Sequence, residues 1–120
     1  MERHTVRFEA KHTGYIIRAF GALKGDKPIL LSYKIGEILR PIREQQNLLQ
    51  ERLQPFLRAT GVLRSEMSDE ENEALMEVLD TEIELADIPT ITVDELLSSN
   101  LKIEEDGVIQ FLVDVGVVAS

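Results

Sequence analysis

Apolar residues recur at three- and four-residue intervals through most of the first half of the chain. Tyr15, Ile16, Ala19, Phe20 and Leu23 mark one face of a helix that begins near Glu9 or Lys11. Lys24 to Pro28 reads Lys-Gly-Asp-Lys-Pro, a turn that places Pro28 at the first position of a second helix and closes a tight helical hairpin. Over residues 29–60 the pattern is strongest. Leu31, Ile35, Ile38, Ile42, Leu49 and Phe56 lie near a heptad seam, and Leu30, Leu39, Leu53 and Leu57 widen it. Such a helix extends roughly 48 Å at 1.5 Å per residue. Pro41 lacks an N–H and crowds the preceding turn, which predicts a kink or a break near Ile38 to Pro41, and Pro55 predicts a second bend. Gln45 and Arg52 stand where a coiled coil wants apolar side chains, so the pattern favours globular packing. Gly61 is the expected C-cap.

Elsewhere the periods are shorter. Val6 and Phe8 alternate with charged residues from Arg3 to Phe8, compatible with a short edge strand or an extended arm. Ser68 and Glu71 have capping-box spacing and open a helix whose apolar face is Leu75, Met76 and Leu79. Ile83 and Leu85 form the buried side of a strand over 81–85 that ends before a turn at Pro89. Thr92 and Glu95 repeat the capping-box spacing for a short helix through Val93, Leu96 and Leu97, closed by Ser98, Ser99 and Asn100. Beyond Leu101 strand and helix readings compete. The preferred one is a final helix from about Glu105 to Val115, lined by Val108, Leu112 and Val115, with Glu104, Glu105 and Asp106 at its positive end. The expected fold is mainly α with a small β element (α+β): an N-terminal helical hairpin with a long kinked helix, packed on a C-terminal strand and short helices. At 120 residues the chain supports one core, hence a single domain over 1–120. Its subregions are a helical hairpin at 9–64 and an acidic strand/helix part at 65–120.

Charge divides the chain at the same place. The first 64 residues hold twelve Lys/Arg and six Asp/Glu, the last 56 one Lys and sixteen Asp/Glu, so +6 and -15 sum to the formal -9. Such a distribution describes surfaces that steer association rather than a reaction centre. The absence of Cys excludes disulfides and thiolate-bound metal. The opening residues lack the apolar core of a signal peptide and no stretch approaches the roughly 18 apolar residues of a membrane helix, so a soluble intracellular protein with no membrane partner is expected.

Candidate chemistry is sparse. His4 and His12, the two histidines, stand among basic residues without a metal-ligand spacing, and Gly21 to Lys27 lacks the Lys-Ser/Thr ending of a phosphate loop. Glu66, Asp69, Glu70, Glu71, Glu73 and Glu77 are dense in sequence, but density does not hold two carboxylates around a pocket, and a solvated face is the simpler reading. No hydroxyl sits in a nucleophile motif. The expectation is therefore no enzyme, no catalytic or metal residues and no cofactor. Scattered basic residues beside an acidic segment make direct nucleic-acid binding unexpected, while a protein partner or homo-oligomer is expected. Ile35, Ile38, Ile42, Leu49 and Phe56 are the candidate protein interface, although each serves equally as intramolecular core. Glu70, Glu71 and Glu73 are the candidate electrostatic interface.

Ala22 to Leu57, with Ser32, Tyr33, Lys34 and Ile35 at the start of the long helix, resembles the helical part of a family of small uncharacterised phage and prophage proteins, and Glu82 to Asn100 resembles that family's short strand and following helix. Together these passages cover about half the chain. Pro41 departs from the family's smoother helix. The resemblance implies a non-enzymatic structural, assembly or accessory role through protein contacts, in the host cytoplasm or associated with the virion. The alternative from the acidic half is a module that binds a host protein and modulates or inhibits a nucleic-acid-associated factor.

Overall fold

The structure, a computed structural model, describes residues 1–103 and 105–120. The apolar alternation at the N-terminus becomes strand β1 (Arg3–Glu9), which pairs antiparallel with β3 (Glu82–Pro89). Val6 and Phe8 from β1 and Ile83, Leu85 and Ile88 from β3 point inward, while Arg7, Glu82 and Glu84 stay exposed. The register steps from His4↔Ile88 to Val6↔Leu85, so β3 carries one extra residue there, and Asp87 absorbs it at φ 56°. The Arg3 guanidinium donates to the Asp87 carbonyl at 2.8 Å and fastens the bulge. β3 runs through Pro89 instead of stopping before it. The Thr90 N–H donates to the Glu2 carbonyl at 2.9 Å, so by alternation the nitrogen of Pro89 faces away from β1 and no ladder bond is lost.

A single 3₁₀ turn (Ala10–His12) leads into α1 (Thr13–Gly21), and α2 (Ile29–Leu53) completes the hairpin. The connection is more than a turn: β2 (Leu23–Lys24) pairs with β5 (Lys102–Ile103), tying the hairpin to the C-terminal half. Gly25 sits at φ +96°, where an added Cβ would lie 3.0 Å from the Asn100 carbonyl oxygen. Pro28 is the N-cap, one position before the expected one, because its carbonyl accepts the first helical bond from Ser32 at 3.0 Å.

Pro41 kinks α2 without breaking it, since Ile38 and Ile42 on either side are fully buried and hold both turns. The helix ends at Leu53 rather than near residue 60, a length of about 37 Å. Pro55 explains the stop: it cannot donate to the carbonyl four residues back, and the chain tightens into a 3₁₀ turn (Gln54–Phe56). Leu57 is then extended and bridges to Leu63, so Gly61, at φ +81°, serves this turn and does not cap α2.

Both capping boxes form as expected. Ser68 opens α3 (Asp69–Asp80), exchanging bonds with Glu71 at 3.1 and 3.2 Å, and Thr92 opens α4 (Val93–Ser98), exchanging bonds with Glu95 at 3.1 and 3.3 Å. Of the α3 apolar residues Leu75 is buried, whereas Met76 is half exposed. The final segment uses both readings that its sequence allowed. After β5 comes α5 (Val108–Asp114), which begins three residues later than expected because Gly107 is its N-cap at φ 77°. β6 (Val118–Ala119) then pairs in parallel with β4 (Ile91–Thr92). Glu104 lies outside the described residues. One apolar cluster includes Phe20, Ile38 and Ile42 with Ile91, Leu112 and Val118, so both halves of the chain share a core.

Candidate interaction surfaces

Part of the division of charge is met by pairs inside the chain. Arg7 lies 3.2 Å from Glu84 and 3.9 Å from Glu82, Lys11 3.0 Å from Asp80, Arg18 2.9 Å from Glu105, and Arg64 pairs with Glu71. Each joins a basic residue of the first half to a carboxylate of the second. These pairs are exposed or half exposed, so each contributes little to stability. Hydrogen bonding from Lys11 holds the Asp80 carboxyl below its ordinary range, and Asp80 with Glu9 holds the Lys11 ammonium above its own. Glu71 is likewise lowered, first by the Ser68 backbone N–H and then by Arg64.

One pair is interior. Lys34, 8% exposed, donates to both carboxylate oxygens of Glu95 at 2.9 Å and to the Thr90 carbonyl at 2.9 Å. Thr90 also meets Nδ1 of His4 through its hydroxyl at 2.8 Å, and Nε2 of His4 lies 3.2 Å from the Gly116 carbonyl. A carbonyl only accepts, so Nε2 carries the proton in that contact. The network joins α2, α4, β1 and the C-terminal turn. Its elements are 61 and 86 residues apart in sequence, and no local spacing announces it.

Ile35, Ile38, Ile42, Leu49 and Phe56 are all buried within the chain. The apolar side chains α2 offers to solvent are different ones: Ile29 is 91% exposed, with Leu30 and Tyr33 about half exposed beside it. Ile29 and Tyr33 are one helical turn apart on the outer face. Leu97, 65% exposed, stands on α4, the helix that Lys34 reaches from the same end of α2. Of the three expected electrostatic residues, Glu70 and Glu73 are exposed, whereas Glu71 is occupied as cap and ion-pair partner. His4 and His12 belong to no metal-binding group, and none occurs among the described residues.

Several clefts open on the surface formed by the described residues, two of them beside the hairpin helices. One, about 230 Å³, lies between α1 and α5, with Tyr15 and Phe111 in its wall and the Arg18–Glu105 pair across it. The other, about 190 Å³, lies between β3 and the C-terminal half of α2. No described helix is long and apolar enough to cross a membrane.

Fold and surfaces define a mixed α+β chain built on a kinked long helix and a small sheet. No protein-family model matches it, and no curated protein or solved structure matches it either.

Proposed function

We propose that this chain is a non-enzymatic structural, assembly or accessory protein of a phage or prophage, acting through protein–protein contacts in the host cytoplasm or on the virion. The observation that carries the protein-contact part is the apolar end of α2. Ile29 is almost wholly in solvent with Leu30 and Tyr33 beside it, and covering one such side chain with a partner is worth about 1.5–3 kcal/mol. The phage setting rests on the resemblance of Ala22 to Leu57 and Glu82 to Asn100 to the phage and prophage family.

The test compares wild type with the Ile29→Asp/Tyr33→Asp double variant by sedimentation and by affinity capture from a phage-bearing cell. The expected result is an assembly or a co-purified virion component that the double variant loses while its circular dichroism is unchanged. A monomer whose recovered partners are the same for both proteins overturns it.

A second reading, an acidic module that binds a host protein, is favoured by α3. Glu70, Glu73 and Glu77 are exposed at helical spacing on one stripe. Reversal of Glu70 and Glu73, leaving Glu71 to cap the helix, should abolish a salt-sensitive host contact. Capture that ignores both salt and reversal counts against this reading.

A further inference from the structure

We propose that the groove between β3 and α2 binds an extended peptide segment of alternating basic and apolar residues, added as a third strand beside β3. The site lies on a different surface from the apolar end of α2 and does not depend on the function proposed above.

β3 is hydrogen-bonded to β1 on one side, and the sheet has two strands, so among the described residues its other edge carries no ladder. Which groups face outward follows from the register. The Ala10 N–H donates to the Thr81 carbonyl at 2.8 Å, making that a hydrogen-bonded pair. By alternation the backbone groups of Ile83 and Leu85 then face β1, and those of Glu82 and Glu84 face away. Thr81, Glu82, Ile83 and Glu84 line the groove in succession, and Ala10, bonded to Thr81 from the β1 side, lines it at the start of β3. Alternate side chains of a strand point to opposite faces, so a cleft lined by consecutive residues lies along the strand's backbone edge. Leu48 and Arg52 of α2 are in the opposite wall. Its 190 Å³ falls below the roughly 300 Å³ of small-molecule pockets. A strand flanked by a helix suits a peptide, whose backbone supplies affinity and whose side chains supply specificity.

The charges specify the occupant. Glu82 and Glu84 stand on the solvent face of β3, and on the β1 side they are met by Arg7 at 3.9 and 3.2 Å. A cation on an added strand meets the same carboxylates from the open side. Leu48, half exposed on the helix wall, receives an apolar side chain. β1 shows the pattern within the fold: Arg3, Thr5 and Arg7 are exposed and Val6 and Phe8 buried, and β3 binds it. The bulge at Asp87 and Pro89 confine the open edge to its first half, and the two glutamates repel a second copy of β3.

The probe is a labelled peptide with the sequence of residues 2–10, Glu-Arg-His-Thr-Val-Arg-Phe-Glu-Ala, titrated against the whole protein and followed by anisotropy. Saturable binding that weakens as salt rises is expected. Glu82→Lys should weaken it roughly fivefold, the effect of replacing one cross-strand attraction by a repulsion, and Leu48→Asp should remove it. Both positions are exposed, so the variants keep the wild-type circular dichroism. A peptide with both arginines changed to glutamate should not bind. The proposal is overturned by no binding at millimolar peptide, by equal binding of the charge-reversed peptide, or by binding that Leu48→Asp leaves unchanged, since the peptide would then have displaced β1, whose Arg7 meets the same Glu82, or bound elsewhere.

Discussion

Lys34 and Glu95 form the one ion pair in the described chain whose cation is buried, with Nζ 2.9 Å from both carboxylate oxygens. Glu95 simultaneously accepts from the Thr92 N–H to cap α4, so a single carboxylate fixes a helix terminus and locks it to the N-terminal part of the long helix. The Glu95 side chain is about one-third exposed, which moderates the energy. Lys34→Ala should lower unfolding stability by about 2–3 kcal/mol, below the 3–5 of a fully buried broken pair. Lys34→Met, which keeps the stem, should cost less than Lys34→Ala. Urea denaturation of both variants and of Glu95→Gln, arranged as a double-mutant cycle, measures the coupling. Independent, additive losses would show that the two residues act separately.

A second expectation concerns the two exposed capping and bridging sites. Folded Glu71 and Asp80 titrate below their ordinary range. Their contribution is therefore present above the unfolded values of about 4.3 and 3.9 and is lost as pH falls through the lower folded values. Lys11 is shifted upward. Its contribution is complete below about 10.4 and disappears as pH rises through the higher folded value. The urea midpoint should thus be flat near neutrality and fall at both extremes. Glu71→Gln should shallow the acid limb alone, whereas Asp80→Asn should shallow both limbs because it removes the stronger of the two partners of Lys11, Glu9 being the other. An alkaline limb unaffected by Asp80→Asn combined with Glu9→Gln would show that Lys11 is not the group responsible.

What was legible in the sequence, and what was not, follows from distance along the chain. The capping boxes of Ser68 and Thr92, the inward Ile83 and Leu85 and the seam from Leu31 to Leu49 depend on neighbours a few residues away, and all of them form. Two-residue pairings such as β2 with β5 carry no period to detect. The prolines show the limit well. Pro41 and Pro55 interrupt the same apolar pattern, yet Pro41 has the buried Ile38 three residues before it and the buried Ile42 after it, while Pro55 is followed by the buried Phe56 but has the exposed Arg52 three residues before it, and it ends the helix. Burial by partners distant in sequence decides between kink and stop. The candidate interaction surface behaved likewise: amphipathicity identified the residues that α2 buries, but only the packed structure shows that Ile29, Leu30 and Tyr33 are the ones left in water.

Two glycines provide opposite tests of backbone against packing. At Gly25, φ is +96° and a Cβ would meet the Asn100 carbonyl oxygen at 3.0 Å, so Gly25→Ala is strained twice. It should destabilise by about 1–3 kcal/mol and loosen the pairing of β2 with β5. Gly36 lies inside α2 on its exposed face, with nothing within 4 Å of an added Cβ. Gly36→Ala removes the conformational freedom that glycine gives the unfolded chain and should stabilise by roughly 0.5–1 kcal/mol. Thermal unfolding of both variants, with amide exchange at Lys24 and Lys102, separates the effects. Exchange should accelerate at those two amides in Gly25→Ala and stay unchanged in Gly36→Ala. If Gly25→Ala were neutral, the turn would tolerate a side chain and the hairpin would not depend on its tie to β5. If Gly36→Ala were destabilising, the outer face of α2 would be in close contact with another backbone, as in a helix–helix assembly through the face that carries Ile29 and Tyr33.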